Sequence, residues 1–126
     1  MKILIADNDA MFRRFLRRVL ESQPDCQLVG ESSDLNQTLD EFAKTNPDLV
    51  FVGLSLPYRG GLEATRRIKS IRPATRVVVL SEATGEAYRQ AAASAGAERL
   101  LLKNDEIVTI LRALRAAEPP AAQRSA

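Results

Sequence analysis

Short apolar runs alternate with amphipathic segments along most of the chain. Each apolar run is followed by a longer segment whose apolar residues recur every three or four positions. An unbroken apolar run is typical of a strand covered on both faces of a sheet, and the longer period is typical of a helix that buries one face. The predicted strands are 2–6, 26–30, 48–52, 76–80 and 100–102, and the predicted helices are 11–20, 34–44, 60–71, 84–95 and 104–117.

This alternation predicts an α/β fold built on one parallel sheet. Short connections require right-handed crossovers, which place helices on both faces of the sheet. In such a doubly wound sheet, a site lies beyond the carboxyl ends of the strands, where the strand order reverses. The residues that follow the strands are 7–9, 53–61, 81–84 and 103–105. We therefore expect any functional side chains to come from these segments.

Composition excludes several classes of protein. The chain has 126 residues, 45% of them hydrophobic and 27% charged, which indicates one globular domain and not a disordered chain. No apolar run approaches the roughly 20 residues of a membrane span. The apolar start is too short for a signal peptide, which favours a cytoplasmic location. With no histidine and one cysteine, the chain lacks the ligands of a zinc site, and we expect Cys26 to be a small apolar core residue.

The charge balance does not identify a partner. The net charge is +2, which is too small to predict nucleic-acid binding by this domain. The basic residues nevertheless cluster on two predicted helices, at 13, 14, 17 and 18 and at 66, 67, 69 and 72. Solvated helix faces are the favoured interpretation, and a docking surface for an acidic partner is the alternative.

Seven short stretches keep the order and spacing of a known domain family. They are Ile-Leu-Ile-Ala-Asp at 3–7, Pro-Asp-Leu-Val at 47–50, Leu-Ser-Leu-Pro at 54–57, Gly-Leu-Glu-Ala at 61–64, Val-Val-Val-Leu-Ser at 77–81, Ala-Gly-Ala at 95–97 and Leu-Leu-Lys at 101–103. Over residues 1–117 the chain resembles a receiver domain of response regulators, most of all the NarL/FixJ class. The resemblance implies a flavodoxin-like (βα)5 fold with strand order 2-1-3-4-5.

The resemblance also implies a chemistry, aspartyl phosphorylation. In the family, an aspartate at the end of the third strand accepts a phosphoryl group. That aspartate and two acids after the first strand hold Mg²⁺, while a hydroxyl and a lysine bind the phosphoryl oxygens. An aromatic residue on the fifth strand responds to phosphorylation. Three of these positions are retained according to the resemblance: Asp7 as the acid after the first strand, Ser81 as the hydroxyl and Lys103 as the lysine.

Four positions depart from the family pattern. Gly53 stands where the phosphoacceptor would be, and glycine has no side chain to act as a nucleophile. Asn8 replaces the second acid, Leu100 replaces the aromatic residue, and Gly60 replaces the residue before the loop glycine. Because two carboxylates are gone, Mg²⁺ would lose its preferred ligands. The pattern predicts a pseudo-receiver with no metal, no cofactor and no enzymatic activity.

The retained residues have a structural and a functional interpretation. Asp7 and Lys103 are expected to form an ion pair that holds strands 1 and 5, with ligand binding as the alternative. Ser81 is expected to hydrogen-bond the backbone. Gly61 is expected to supply unusual dihedral angles to the loop after strand 3. Tyr58 and Arg59 are expected to protrude into solvent.

Function is expected to rest on protein contacts. The sequence predicts a phosphorylation-independent module of two-component signalling or transcription regulation. It would contact a protein partner or a second copy through helix 1 and helix 5, or through helix 4, strand 5 and helix 5, where Leu100 would add an apolar contact. Residues 118–126 are expected to form a linker or a disordered tail. A helix-turn-helix DNA-binding domain would lie outside this chain. No membrane contact is expected.

Two other functions stay open. A flavodoxin-type cofactor binder would need a phosphate-binding loop after the first strand, but residues 7–9 are Asp-Asn-Asp and would repel phosphate. No glycine-rich nucleotide motif occurs. A small-molecule effector could instead occupy the space that the absent side chain of Gly53 leaves.

Overall fold

Five strands and five helices alternate along the chain. The computed structural model describes residues 1–83 and 85–115. The elements are β1 (Lys2–Ala6), α1 (Ala10–Glu21), β2 (Gln27–Ser32), α2 (Leu35–Thr45), β3 (Leu49–Gly53), α3 (Gly60–Ile71), β4 (Arg76–Ser81), α4 (Glu86–Ala95), β5 (Arg99–Leu102) and α5 (Ile107–Arg115), with one 3₁₀ turn at Pro57–Arg59. The predicted tail, 118–126, lies outside the described residues.

The strands form one parallel sheet in the order β2-β1-β3-β4-β5. This confirms the predicted flavodoxin-like topology. The central strand β3 is buried along its whole length, as the uninterrupted apolar run 49–52 predicts. Alternate residues of the strands pack against α1 and α5 on one face and against α2, α3 and α4 on the other. The carboxyl ends of β1, β3, β4 and β5 therefore meet at one edge of the sheet.

The helix boundaries follow local capping. Asp9 begins α1, where its carboxylate accepts hydrogen bonds from the Met11 and Phe12 amides, as expected of an N-cap. Asp34 caps α2 through the Gln37 amide. The fifth helix begins at Ile107, later than predicted, because the Asp105 side chain accepts a hydrogen bond from the Leu102 amide and closes a turn there.

Two large apolar residues at helix ends are exposed, and the expectations for Cys26 and Leu100 need correction. Ile71 is 65% exposed because it is the last residue of α3, and Ile107 is half exposed as the first residue of α5. Cys26 lies in the turn before β2 and is only partly buried. Leu100 is buried in the core beneath α3 and α4, so it cannot supply the predicted apolar contact to a docking surface.

The prediction for Gly61 was also wrong in its reason. Gly61 has ordinary helical geometry in α3, but a Cβ atom there would lie 2.9 Å from the Cα of Leu54. Glycine is therefore required by close packing of α3 on the preceding loop. The left-handed backbone occurs instead at Tyr58 and Arg59, with φ of 58° and 59°. Both side chains are exposed, as predicted.

Candidate functional site

The carboxyl edge of the sheet brings together the residues singled out from the sequence. Asp7 follows β1, Gly53 ends β3, Ser81 ends β4 and Lys103 follows β5. The register places Gly53 beside Leu80 of β4. Asp7 contacts both Gly53 and Lys103, so three of the predicted residues form one cluster.

Asp7 and Lys103 form the predicted ion pair. The ammonium of Lys103 donates a hydrogen bond of 2.9 Å to Asp7 Oδ1 and lies 2.8 Å from Oδ2. The Asp9 amide donates a second hydrogen bond, of 2.8 Å, to Oδ1. The Asp7 side chain is 0% exposed and that of Lys103 is 8% exposed. Each charge is therefore removed from water and depends on the other for compensation.

Phe12 completes the surroundings of the lysine. Its ring centroid lies 4.9 Å from Lys103 Nζ, within cation–π range. The carboxylate of Glu82 is 3.8 Å from the same nitrogen but is largely exposed, so water screens that interaction. The ammonium is thus held mainly by Asp7 and by an aromatic face.

Gly53 leaves no vacant space at this edge. A Cβ atom built on Gly53 would lie 2.8 Å from Asp7 Cγ and closer still to Oδ2. The carboxylate of Asp7 therefore occupies the position that a side chain at residue 53 would enter. The expectation that the absent side chain leaves room for a ligand was wrong.

Asn8 and Ser81 are engaged locally. The Ser55 hydroxyl donates to Asn8 Oδ1 at 3.1 Å. The Ser81 hydroxyl donates to the Ala83 carbonyl at 2.9 Å and accepts from the Ala83 amide at 3.0 Å. As predicted, the hydrogen bonds of the Ser81 hydroxyl are made with the backbone, here in the loop after β4. In residues 1–83 and 85–115, no group of three His, Cys, Asp or Glu side chains is placed to hold a metal ion.

Arg13 belongs to this edge and was missed by the sequence analysis. Its Nη1 donates a hydrogen bond of 2.6 Å to the main-chain oxygen of Asp7. Its Nε lies 3.3 Å from Glu31, whose second oxygen pairs with Arg17. The spacing of Arg13 and Arg17 on one helix face hinted at a shared acidic partner, but nothing local identified Glu31 of β2 as that partner.

An open cleft lies beside the ion pair. It has a volume of about 320 Å³ and is lined by Asp9, Phe12, Glu82, Lys103 and Asn104. Gly53 is not part of its lining.

The helices of the described residues are all too short or too polar to span a membrane.

Comparisons with known proteins agree with this fold. The model of the response regulator receiver domain matches residues 3–115. The nitrate/nitrite response regulator protein NarL of Escherichia coli is 31% identical over 115 residues, which cover 91% of this chain and 53% of NarL. A protein-glutamate methylesterase/protein-glutamine glutaminase of Geobacter metallireducens is 37% identical over 79 residues, 63% of this chain and 23% of that protein.

A solved structure gives the same result in three dimensions. The two-component response regulator of the LuxR family from Aurantimonas aligns with a TM-score of 0.85 and 30% identity, covering 97% of this chain and 92% of that one. The chain spans about half the length of the curated transcriptional regulators it matches. With the family match over residues 3–115 and the strand order of the sheet, the chain belongs to the response regulator receiver domain family.

Proposed function

We propose that this chain is a pseudo-receiver, a receiver domain that accepts no phosphoryl group and regulates through contacts with proteins. The observation that carries the proposal is Gly53 at the end of β3, with the Asp7 carboxylate packed where a side chain at residue 53 would lie. Without a carboxylate at this position there is no nucleophile for phosphoryl transfer.

The residues at this edge do not fit the Mg²⁺ that the family uses. Mg²⁺ requires several hard oxygen ligands, and carboxylates are the usual protein donors. Asn8 is neutral, Gly53 has no side chain, and Asp7 is already paired with Lys103. A cation at Asp7 would have to displace an ammonium 2.8 Å away. The proposed role of the pair is to hold the carboxyl edge in one arrangement without metal.

The proposed setting is cytoplasmic two-component signalling or transcription regulation. Several relatives are transcriptional regulators about twice as long as this chain, which supports a further domain beyond it. The type proposed for that domain is a helix-turn-helix DNA-binding domain. The domain itself would catalyse no reaction. It would act through α1 and α5, or through α4, β5 and α5, on a second copy or on another protein.

Phosphorylation chemistry tests the proposal directly. Incubation of the purified chain with acetyl phosphate and Mg²⁺ should leave its intact mass unchanged, whereas a conventional receiver treated in parallel should gain one phosphoryl group. A stoichiometric, acid-labile phosphoryl adduct on this chain would refute the proposal. In the Gly53→Asp variant the new side chain would compete with Asp7 for space, so we expect at most partial phosphorylation.

A small-molecule effector is the second candidate. One observation favours it, the cleft of about 320 Å³ beside Lys103. Gly53 does not line that cleft, so the protein-contact module is the better supported of the two candidates. Mass spectrometry of the purified protein under non-denaturing conditions would detect a retained effector.

A further inference from the structure

The second half of α3 presents a surface that is both basic and apolar. A cleft of about 340 Å³ is lined by Arg66, Arg67, Ser70 and Ile71, and the Ile71 side chain is exposed at the helix end. These four residues are called the basic patch. Residues 61–72 hold four basic residues and one acidic residue, a net charge of +3. The patch therefore combines an exposed branched side chain with an excess of positive charge.

Carboxylates of this chain compensate little of that charge. Arg66 and Arg67 share one carboxylate, that of Glu63, at 3.5 and 3.3 Å, and all three side chains are about half exposed. Lys69 donates to two loop carbonyls and Arg72 lies over an aromatic ring, and within the described ranges no carboxylate pairs with either cation. Exposed pairs are weak, so this charge stays available to a partner.

The start of α5 presents the opposite combination. Asp105 and Glu106 precede the helix, and its first two residues, Ile107 and Val108, are each about half exposed. These four residues are called the acidic patch. In the part of the chain that the structure describes, no cation lies within ion-pair distance of either carboxylate. Each patch therefore lacks, in its own chain, the complement that the other patch offers.

The two patches lie at opposite edges and on opposite faces of the sheet. Helices of this parallel fold begin at the carboxyl edge and end at the amino edge, so the acidic patch lies at the carboxyl edge and the basic patch lies toward the amino edge. The helix α5 packs on the same face of the sheet as α1, whereas α3 packs on the other face. One rigid copy therefore cannot use both patches against the same neighbour.

We propose that the acidic patch of one copy docks in the α3 cleft of a second copy, so that copies associate head to tail. In this contact, Val108 enters the cleft beside Ile71, and the Glu106 carboxylate pairs with the guanidinium groups of the basic patch. A contact between two different surfaces of identical chains is heterologous, and it produces open chains or rings. The inference goes beyond the proposed function and does not depend on it, because no phosphoryl group takes part in the contact.

Two other pairings fit these patches less well. A two-fold axis through either patch would set like charges against each other, which disfavours association. The basic side of α1 is a poorer complement for the acidic patch, because α1 begins at the carboxyl edge. There the exposed carboxylates of Asp9 and Glu82 would repel an incoming acidic segment. The basic patch lies at the other edge, away from both of these carboxylates.

Analytical ultracentrifugation of the full chain tests for head-to-tail association. A contact between a helix start and one helix face is small, and interfaces below about 1,200 Å² are typical of weak association, so the protein is studied up to about 1 mM. We expect the weight-average mass to rise past that of a dimer without levelling off. It should fall in about 0.5 M NaCl, because salt screens exposed charges.

Paired variants identify the two surfaces. The α3 variant carries Arg66→Gln, Arg67→Gln and Ile71→Gln, and the α5 variant carries Glu106→Gln and Val108→Gln. Each variant alone should associate at least about tenfold more weakly than the unaltered chain. An equimolar mixture should form a one-to-one dimer and nothing larger, since each variant keeps one intact patch. With the α3 variant ¹⁵N-labelled, the amides that shift in the mixture should be those at the start of α5; with the α5 variant labelled, those of α3.

The solvent side of α1 supplies a matched control. Met11→Gln combined with Arg14→Gln and Arg18→Gln also removes two exposed arginines and one exposed apolar side chain, and it should leave association unchanged. Amide spectra of all three variants, away from the substitutions, should overlay that of the unaltered chain.

Four results would overturn the proposal. A strict monomer at about 1 mM would leave the α3 cleft to a different, acidic protein. A mass that levels off at that of a dimer would indicate a two-fold contact. Loss of association in the α1 variant would move the contact to α1. A mixture of the α3 and α5 variants that forms no dimer, or whose shifts lie outside these two helices, would show that the patches do not meet.

Discussion

Ion pairs join distant segments at both edges of the sheet. The pair at the carboxyl edge is buried and the pair at the amino edge is exposed, so their expected contributions to stability differ. At the carboxyl edge, the side chains of Asp7 and Lys103 are 0% and 8% exposed. At the amino edge, Asp25, before β2, pairs with Arg115, the last residue of α5, and these side chains are 59% and 44% exposed. Water can replace either partner of the exposed pair but neither partner of the buried pair.

Arg76 and Glu98 form an intermediate case at the amino edge. The Arg76 guanidinium binds both carboxylate oxygens of Glu98, at 2.7 and 2.8 Å. It also donates to the Ala113 and Leu114 carbonyls, at 2.7 and 3.0 Å. These carbonyls belong to the last described turn of α5. Ion pairs therefore hold the strand ends at the carboxyl edge and the end of α5 at the amino edge. We expect substitutions to cost more stability where the pair is more deeply buried.

Lys103→Met should have the largest effect on stability. It leaves the fully buried Asp7 carboxylate without its counter-ion, and removing one partner of a buried pair costs about 3–5 kcal/mol. We expect the free energy of unfolding, measured in urea, to fall by about 3 kcal/mol. The double variant Asp7→Asn with Lys103→Met should recover part of the loss, because no buried charge remains. A loss below about 0.5 kcal/mol would place the pair in the same class as the exposed one.

Gly53→Ala should have the next largest effect. The added methyl group would press on the Asp7 carboxylate, which is fixed by the Asp9 amide and by Lys103. Overpacking of this kind costs about 1–3 kcal/mol, so we expect a loss of about 2 kcal/mol in urea unfolding.

Gly30→Ala is the matched control for this substitution. A Cβ atom at Gly30 would lie 2.8 Å from the carboxylate of the half-buried Glu41 and 3.3 Å from Leu4 Cδ1, and both contacts are with the ends of flexible side chains. We expect a change of less than about 1 kcal/mol there. Equal losses at the two glycines would mean that the Asp7 carboxylate also moves aside without cost.

Arg76→Met should have a moderate effect, concentrated at the end of α5. It removes the bidentate contact with Glu98 and two donors to the last helical turn, for an expected loss of about 1.5 kcal/mol. Amide hydrogen exchange should accelerate in α5 more than in β4. Arg76→Lys keeps the positive charge but loses the planar guanidinium that binds two oxygens at once, so it should restore only part of the protection of α5 amides from exchange. Unchanged exchange in α5 would show that Arg76 does not hold the helix end.

The sequence predicts the strands well because each strand is a local apolar run, and it predicts the ion pair because both of its residues directly follow strands of one parallel sheet. Apolar runs define β1, β3 and β4, and the ends of parallel strands must meet, which brings Lys103 to Asp7. The packing of Asp7 against Gly53 could not be predicted, since it depends on side-chain placement across two strands. The roles of Arg13 and Arg76 were missed because their partners are distant in sequence and carry no local signature.

The smallest expected effect is the pH response of the exposed pair. Hydrogen bonds from the Arg115 guanidinium lower the pKa of Asp25 from 3.8 to about 2. Because the folded state lowers this pKa, the contribution of the pair is complete above about pH 4 and disappears as the pH falls toward about 2. Thermal melts should therefore show a small Tm difference between the protein and its Asp25→Asn variant at pH 5, which shrinks at pH 2. Arg115→Gln should show the same pH window, and added salt should reduce both differences because the pair is exposed. A Tm difference that grows toward pH 2 would contradict the assignment, since protonated Asp25 can no longer attract the guanidinium.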